Sequence, residues 1–228
     1  MRFSVPHILV AAAAVLAAAC AFSAPAEAQA AATCGEGMYA YAGVDSNAVT
    51  DGVSATIAQA GPLQVRNGHV AAWIGVVDPN SPSSWLQVGL SAMPNETASG
   101  IYYEVAVPGH RPVYHRLRAD PSGRLPHRFT VVELIARPNW WMVRVDGKRS
   151  TVPIHLRGSH HRWTPQVLGE SWAGAVSGVC NSYSYSFTGV SLLGSSGRLS
   201  AFADANYAVL RRSSSSFVAT SVGNPMYG

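Results

Sequence analysis

The fold is decided by the run Trp73-Ile74-Gly75-Val76-Val77 and by the run Ser84-Trp85-Leu86-Gln87-Val88-Gly89 that follows it. Both runs alternate, so that aliphatic side chains share one side of a strand, while the other side carries two indoles, an amide and small residues. Successive side chains of a strand point to opposite faces of its sheet. The aliphatic face is therefore expected in a core. An amide between tryptophans on the other face is typical of the floor of a groove.

Residues 1–30 have the features of a secretory signal peptide. Arg2 precedes an apolar run over residues 8–19, and small residues suited to cleavage follow at 26–30. We expect cleavage near Ala30 and a secreted or periplasmic protein. No later segment has the ~18 apolar residues that a membrane span needs.

Cys34 and Cys180 remain after removal of this segment. An even pair in an oxidising compartment predicts a single disulfide, with two buried free thiols as the alternative. The bond would tie the N-terminal strand to a late one and stabilise the fold by roughly 3–5 kcal/mol. A lipoprotein would instead use Cys20, but Leu16 lies one place too early for a good lipobox.

The composition indicates one exported, β-rich domain. The chain has 228 residues, 21 of them glycine, and only 12% are charged, which fits a secreted protein made of strands. The formal net charge is +4, but the basic residues are scattered. Because no Lys/Arg run with interleaved aromatics occurs, we expect no nucleic-acid partner.

Residues 31–194 are predicted to form this domain, and no segment favours a helix. The pair Asp146-Gly147 between alternating runs is a strong hairpin signal. Residues 195–228 are expected to be a C-terminal extension, either a hairpin of 205–210 with 217–222 or partly disordered. Strands at this spacing are typical of a sandwich or jelly roll, and they are expected at 38–44, 53–59, 70–77, 85–92, 101–107, 113–117, 128–136, 140–145, 150–156, 167–173 and 183–193.

Most familiar catalytic patterns do not occur in the sequence. The histidines lack a ligand spacing such as His-Glu-x-x-His, so no metal is expected, and no phosphate loop or other cofactor motif is present. No Gly-x-Ser-x-Gly elbow supplies a serine nucleophile. The carboxylates within strands are the candidates that remain: Glu104, Glu133 and Glu170. A carboxyl that is desolvated beside an indole suits a general acid or base, although a strand Glu is more often solvated or paired.

Short motifs that follow one another from about Tyr39 to about Leu193 resemble, in their order and spacing, the glutamic peptidases, or eqolisins. These are secreted endopeptidases that act in acid. The resemblance implies an all-β, concanavalin-like jelly-roll sandwich of two antiparallel sheets, with a Gln/Glu dyad on one sheet. The motifs are Trp73-Ile74-Gly75-Val76, Trp85-Leu86-Gln87-Val88-Gly89, Tyr102-Tyr103-Glu104, Thr130-Val131-Val132-Glu133, Gly169-Glu170-Ser171-Trp172 and Ser186-Phe187-Thr188-Gly189-Val190.

The resemblance also implies roles. Gln87, in a Leu-Gln-x-Gly strand, would donate to the oxyanion, and Glu170 would act as general base and then as general acid. In the family the tryptophan follows the glutamate directly, whereas here Ser171 intervenes, which would either put Trp172 on the face of Glu170 or shift which residue faces the groove. The positions expected to bind substrate are Trp73, Trp85, Tyr102, Glu104 and Trp172.

Two other functions fit the same residues. A non-catalytic module could bind carbohydrate or peptide, since indoles pack on flat sugar faces and amides bond hydroxyls. A glycosidase would need two carboxyls ~5–9.5 Å apart, for which Glu104 and Glu170 are the pair. We therefore expect a monomer whose partner is a polypeptide substrate or a glycan ligand. The peptidase hypothesis requires Gln87 and Glu170 on one sheet face.

Overall fold

The computed structural model describes residues 31–34, 39–46, 48–119, 125–158, 161–172, 180–202, 207–211, 220–221 and 226–227. The predicted signal peptide, with its cleavage sites and Cys20, lies outside the described residues.

The described residues form strands and contain no helix. They therefore include no helix that is long and apolar enough to cross a membrane. The strands are β1 (Ala31–Cys34), β2 (Tyr39–Ser46), β3 (Gly52–Gln59), β4 (His69–Asp78), β5 (Ser81–Ala92), β6 (Gly100–Ala106), β7 (Val113–Ala119), β8 (His127–Leu134), β9 (Arg137–Val145), β10 (Lys148–Arg149), β11 (Ile154–His155), β12 (Thr164–Trp172), β13 (Cys180–Tyr183), β14 (Tyr185–Leu193), β15 (Leu199–Ala201), β16 (Tyr207–Arg211), β17 (Thr220–Ser221) and β18 (Met226–Tyr227).

Two antiparallel sheets enclose the core. The first has seven strands in the order β16-β2-β12-β4-β5-β6-β7, and the second has nine, in the order β10-β9-β8-β3-β14-β18-β17 with β11 on β9 and β15 on β14. Residues of both sheets, among them Ile74 and Leu86 from the first and Ile57 and Phe129 from the second, form one buried cluster. The predicted all-β sandwich of two antiparallel sheets is confirmed.

The alternation predicted for β4 and β5 is present. Ile74 and Leu86 are 0% exposed and lie in the core. The alternate residues of the two strands lie on the other side of the seven-stranded sheet, which we call the open face. This face is not a solvated surface, because Ala71, Trp73 and Tyr102 are buried there in a second apolar cluster.

Some strand boundaries differ from the predicted ones. β5 begins at Ser81 rather than at residue 85, because a tight turn at Pro79–Asn80 reverses the chain. Of the run predicted at 150–156, only β11 (Ile154–His155) is a strand, while β10 (Lys148–Arg149) lies before that run, and both pair with β9. The hairpin at Asp146–Gly147 is confirmed. Both residues have positive φ, 52° and 75°, as a type I′ turn requires.

The C-terminal strands extend both sheets. β16 pairs with β2 at the edge of the seven-stranded sheet, while β17 pairs with β18 in the nine-stranded sheet. The expected hairpin of 205–210 with 217–222 is therefore not seen in the described residues. The physical reason is that a sheet edge presents unpaired backbone groups, which an added strand satisfies.

A small third sheet joins the chain's start to a late strand. β1 pairs with β13, and Cys34 lies directly opposite Cys180 in their antiparallel register. Opposite residues of such a pair have Cβ atoms about 4.5–5.5 Å apart. The backbone thus brings the two predicted partners side by side.

Gly89 is required where β4 and β5 pack. An ideal Cβ at this position would lie 1.9 Å from the carbonyl oxygen of Ala72 and 2.7 Å from Cα of Trp73. We predict that Gly89→Ala lowers the free energy of unfolding, measured in urea, by about 1–3 kcal/mol. Gly194→Ala is the matched control, since the nearest atom there is 4.0 Å away. Equal stability of the two variants would contradict this account of Gly89.

Candidate active site

Glu170 is a buried carboxylate with a donor on each oxygen. Its side chain lies on the open face of β12, and the residue is 6% exposed. Nε2 of His69 lies 2.9 Å from Oε1, and Nε1 of Trp73 donates to Oε2 at 2.8 Å. Because Ala71 stands opposite Glu170 in the register, the residues two places before and after it flank the carboxylate on the same face.

Gln87 is equally buried, and its amide nitrogen makes two contacts. Nε2 donates to Oη of Tyr102 at 3.0 Å and to Oε2 of Glu104 at 3.2 Å. Glu104 stands directly opposite Gln87 across β5 and β6. A primary amide has two hydrogens on nitrogen, so both are engaged within the protein.

One cavity contains both of these side chains. It has a volume of 360 Å³, and Gln87 and Glu170 reach it from strands that are separated by β4 in the sheet. A smaller cavity of 190 Å³ adjoins it and shares Tyr39, Glu104 and Glu170. The large cavity is lined by Tyr39, Tyr41, Trp73, Val77, Pro82, Trp85, Gln87, Glu104, Pro112, Gln166, Leu168 and Glu170.

The second carboxyl in this cavity has altered acidity. Burial, and then the charge of Glu170, raise the pKa of Glu104 to about 7, against an opposing effect of His69. Burial and the same two carboxylates raise the pKa of Tyr102 well above its ordinary value, so its phenol stays neutral. At acid pH the cavity therefore holds Glu104 as a neutral acid.

Three aromatic side chains of the open face stack on one another. Trp172 is stacked on Tyr39, with ring centroids 6.1 Å apart, and Tyr39 is stacked on Tyr41 at 5.9 Å. Trp172 shares the face of Glu170, while Ser171 between them is 1% exposed and points to the core side. Trp172 does not line either cavity, whereas Trp73 and Trp85 line the large one and Tyr102 the smaller one.

His69 is the residue that the sequence reasoning missed. Alternation places it on the same face as Ala71 and Trp73, and this is the signal that could have found it. Its contact with Glu170 depends on β12 pairing with β4, and the two residues are 101 positions apart in the chain.

Potential metal ligands occur elsewhere in the described residues. Ligand atoms of Asp51, Glu133 and His161 lie within 4.8 Å of one another. Nδ1 of His161 is 2.5 Å from Oδ1 of Asp51, and this hydrogen bond raises the pKa of the His161 imidazole. The imidazolium can itself balance the acidic charge, so the group carries no argument for a metal. Glu133 does not line the cavity that contains Glu170.

Comparison with known proteins shows the same fold in glutamic peptidases. The crystal structure of scytalido-glutamic peptidase with a peptide based transition state analog has a TM-score of 0.59 and 16% sequence identity, and covers 84% of this chain and 97% of that chain. SCP-B, a member of the Eqolisin family of peptidases in a complex with the tripeptide Ala-Ile-His, has a TM-score of 0.53 and 15% identity over the same shares. No family model and no curated protein sequence matches the chain.

The chain thus has the sandwich fold that the resemblance implied, and at this identity the likeness establishes the fold alone.

The acidity of Glu104 predicts a pH-dependent stability. Because its pKa is about 7 in the folded protein against 4.5 ordinarily, the folded state binds a proton between these values that the unfolded chain does not. Stability from this group is therefore lost as pH rises through that window. After allowance for its partial exposure, we expect the free energy of unfolding to fall by on the order of 1 kcal/mol more than in Glu104→Gln.

The measurement is urea unfolding of both proteins at pH 4.5, 6 and 8, which are about the ordinary pKa, the middle of the window and a point above it. Parallel pH profiles for the wild type and Glu104→Gln would show that Glu104 ionises with its ordinary acidity.

Proposed function

We propose that this protein is a peptide-bond hydrolase of the glutamic type, active at acid pH, with Glu170 and Gln87 as its catalytic residues. One observation carries the proposal. A buried carboxylate and a buried amide from separate strands line a single cavity, and each is oriented by two hydrogen bonds. A carboxyl can serve as general acid and base in the hydrolysis of an amide, and a side-chain amide can donate to the oxyanion that forms.

The reaction uses one water and one proton transfer in each direction. Glu170 removes a proton from a water in the cavity, and the water oxygen attacks the carbonyl carbon of the peptide. Gln87 donates an N–H to the oxyanion that forms. Glu170 then returns its proton to the nitrogen, the C–N bond breaks, and an acid and an amine leave.

Gln87 must release a partner before it can donate to substrate. Its second N–H donates a hydrogen bond to Oε2 of Glu104. A charged carboxylate is a stronger acceptor of this bond than a neutral acid. Since the pKa of Glu104 is raised to about 7, this carboxyl is neutral in acid. The carbonyl oxygen of a substrate then competes for the N–H more easily, which favours activity below pH 7.

The lining of the cavity favours an extended polypeptide. Trp73 and Trp85 supply large apolar surfaces, while Gln166 and Glu104 supply polar ones. Such a mixture offers apolar contacts to the side chains of a bound peptide and hydrogen-bonding groups to its backbone.

The test is a digest of an unfolded protein mixture by the purified mature protein from pH 2 to 7. Pepstatin is present to inhibit aspartic peptidases, and fragments are identified by mass spectrometry. We expect cleavage in acid, abolished in Glu170→Gln and reduced about 100- to 1000-fold in Gln87→Ala. Glu133→Gln and Gln59→Ala are matched controls, because each makes the same substitution at a buried residue that does not line the cavity.

Retained cleavage by Glu170→Gln would sink this proposal. A folded wild type that cleaves nothing would favour the second candidate, a module that binds carbohydrate or peptide. The observation that favours this candidate is the stacked cluster of Tyr39, Tyr41 and Trp172, in which Tyr39 is 46% exposed. Glycan and peptide arrays would then identify the ligand, and a β-glucan digest would test Glu104 and Glu170 as a glycosidase pair.

We further propose that the protein is exported and that Cys34 and Cys180 form a disulfide. The register that places them opposite each other supports the pairing, and the signal-like residues 1–30 support export. We predict that the intact mass of mature protein recovered from culture medium or periplasm starts near residue 31 and is lower by two hydrogens than the reduced form. Two free thiols on titration in denaturant would contradict the pairing.

A further inference from the structure

Glu170 is held between two donors that lie on one strand. His69 and Trp73 are separated by Ala71, which stands opposite Glu170 in the register. A carboxylate accepts only, so Nε2 of His69 carries the hydrogen of the 2.9 Å contact with Oε1, whether the ring is neutral or charged. The indole of Trp73 donates to the other oxygen at 2.8 Å.

This arrangement fixes the plane of the carboxylate. An ionised carboxyl has two oxygens and about four lone-pair positions. One position on each oxygen accepts from a donor on β4, so the positions that remain are left for a water that enters the cavity. Removal of either donor would leave the carboxyl free to rotate about its last bond.

The imidazole is itself held in place. His69 stands opposite Trp172 in the register, and their ring centroids are 5.8 Å apart, while the ring of Tyr39 lies 5.7 Å away on β2. The side chain of His69 is only 21% exposed. A histidine that is packed between two rings and aimed at a buried carboxylate is not an ordinary surface residue.

We propose that His69 is a positioning residue, which orients Glu170 toward the reacting water through the hydrogen bond from Nε2. This rests on the proposed function of Glu170 as general base. Trp73 is the fixed donor of the pair, and His69 is the donor whose loss leaves Oε1 without this partner. A role in packing alone is the alternative, since His69 also fills space between Tyr39 and Trp172.

The first measurement separates these roles by kinetics. His69→Leu keeps bulk but has no donor, whereas His69→Gln places an amide N–H near the position of Nε2. We expect His69→Leu to lower kcat about 10- to 100-fold, the range for loss of a hydrogen bond to a charged group, with KM little changed. His69→Gln should recover most of kcat. The matched controls are His155→Leu and His155→Gln, since His155 stacks on Trp140 in the other sheet.

Equal kcat in the wild type and His69→Leu would overturn the proposal. Equal losses of kcat in His69→Leu and His69→Gln would overturn it too, because packing and not the N–H would then be responsible.

The second measurement does not need activity. The indole N–H of Trp73 reports on Glu170 by its ¹H and ¹⁵N chemical shifts, and Trp73→Phe assigns its signal. We expect this signal to move in His69→Leu and to lie near its wild-type position in His69→Gln and in both His155 variants. If the wild type cleaves nothing, the proposed function fails, and this signal still decides whether His69 orients the carboxylate. An unmoved signal in His69→Leu would overturn that role.

Discussion

The burial of the Glu170 carboxylate is the constraint on which the site depends. Moving an ion out of water costs several kcal/mol unless partners replace the lost hydration. Here β4 supplies both partners from positions on one face, with a small residue between them that leaves room for the carboxyl. A slip of one residue between β4 and β12 would turn His69 and Trp73 to the core side. The pairing register of β4 and β12 therefore determines whether this charge has hydrogen-bond partners, and the cost of burying it without them favours that register.

A second carboxyl close to the first follows from the same sheet. Glu104 reaches the cavity from β6, two strands beyond β4. Burial disfavours the charged form of Glu104, and the nearby charge of Glu170 adds to this effect, which is why the pKa of Glu104 rises to about 7. The groups that face it are Glu170 on β12, His69 on β4, Tyr102 on its own strand, Tyr114 on β7 and Tyr39 on β2.

The sequence pattern within a strand predicts which face each side chain takes, but it does not predict which strands are neighbours. The alternation over residues 70–76 and 86–90 predicts which side chains of β4 and β5 enter the core, because the period of a strand is independent of its neighbours. It cannot predict that β12 is inserted between β2 and β4, since that pairing is a property of the whole sheet. His69 was missed for this reason, and the local hairpin of 205–210 with 217–222 does not anticipate that residues 207–211 pair with β2.

The aromatic residues do not separate a hydrolase from a binding module on this fold, because indole and phenol surfaces serve both. The amide of Gln87 does separate them. In a binding module, Gln87 can keep both of its hydrogen bonds to Tyr102 and Glu104 while ligand is bound. The other side chains that line the groove then recognise the ligand. In a hydrolase, Gln87 must turn the N–H that faces Glu104 to an oxyanion. The charge of the oxyanion makes it a better acceptor than Glu104, which is a neutral acid below pH 7. In a hydrolase, the hydrogen bond to Tyr102 would keep Gln87 oriented while the N–H that faces Glu104 turns to the substrate oxygen, and this contact would strengthen as charge develops on that oxygen in the transition state.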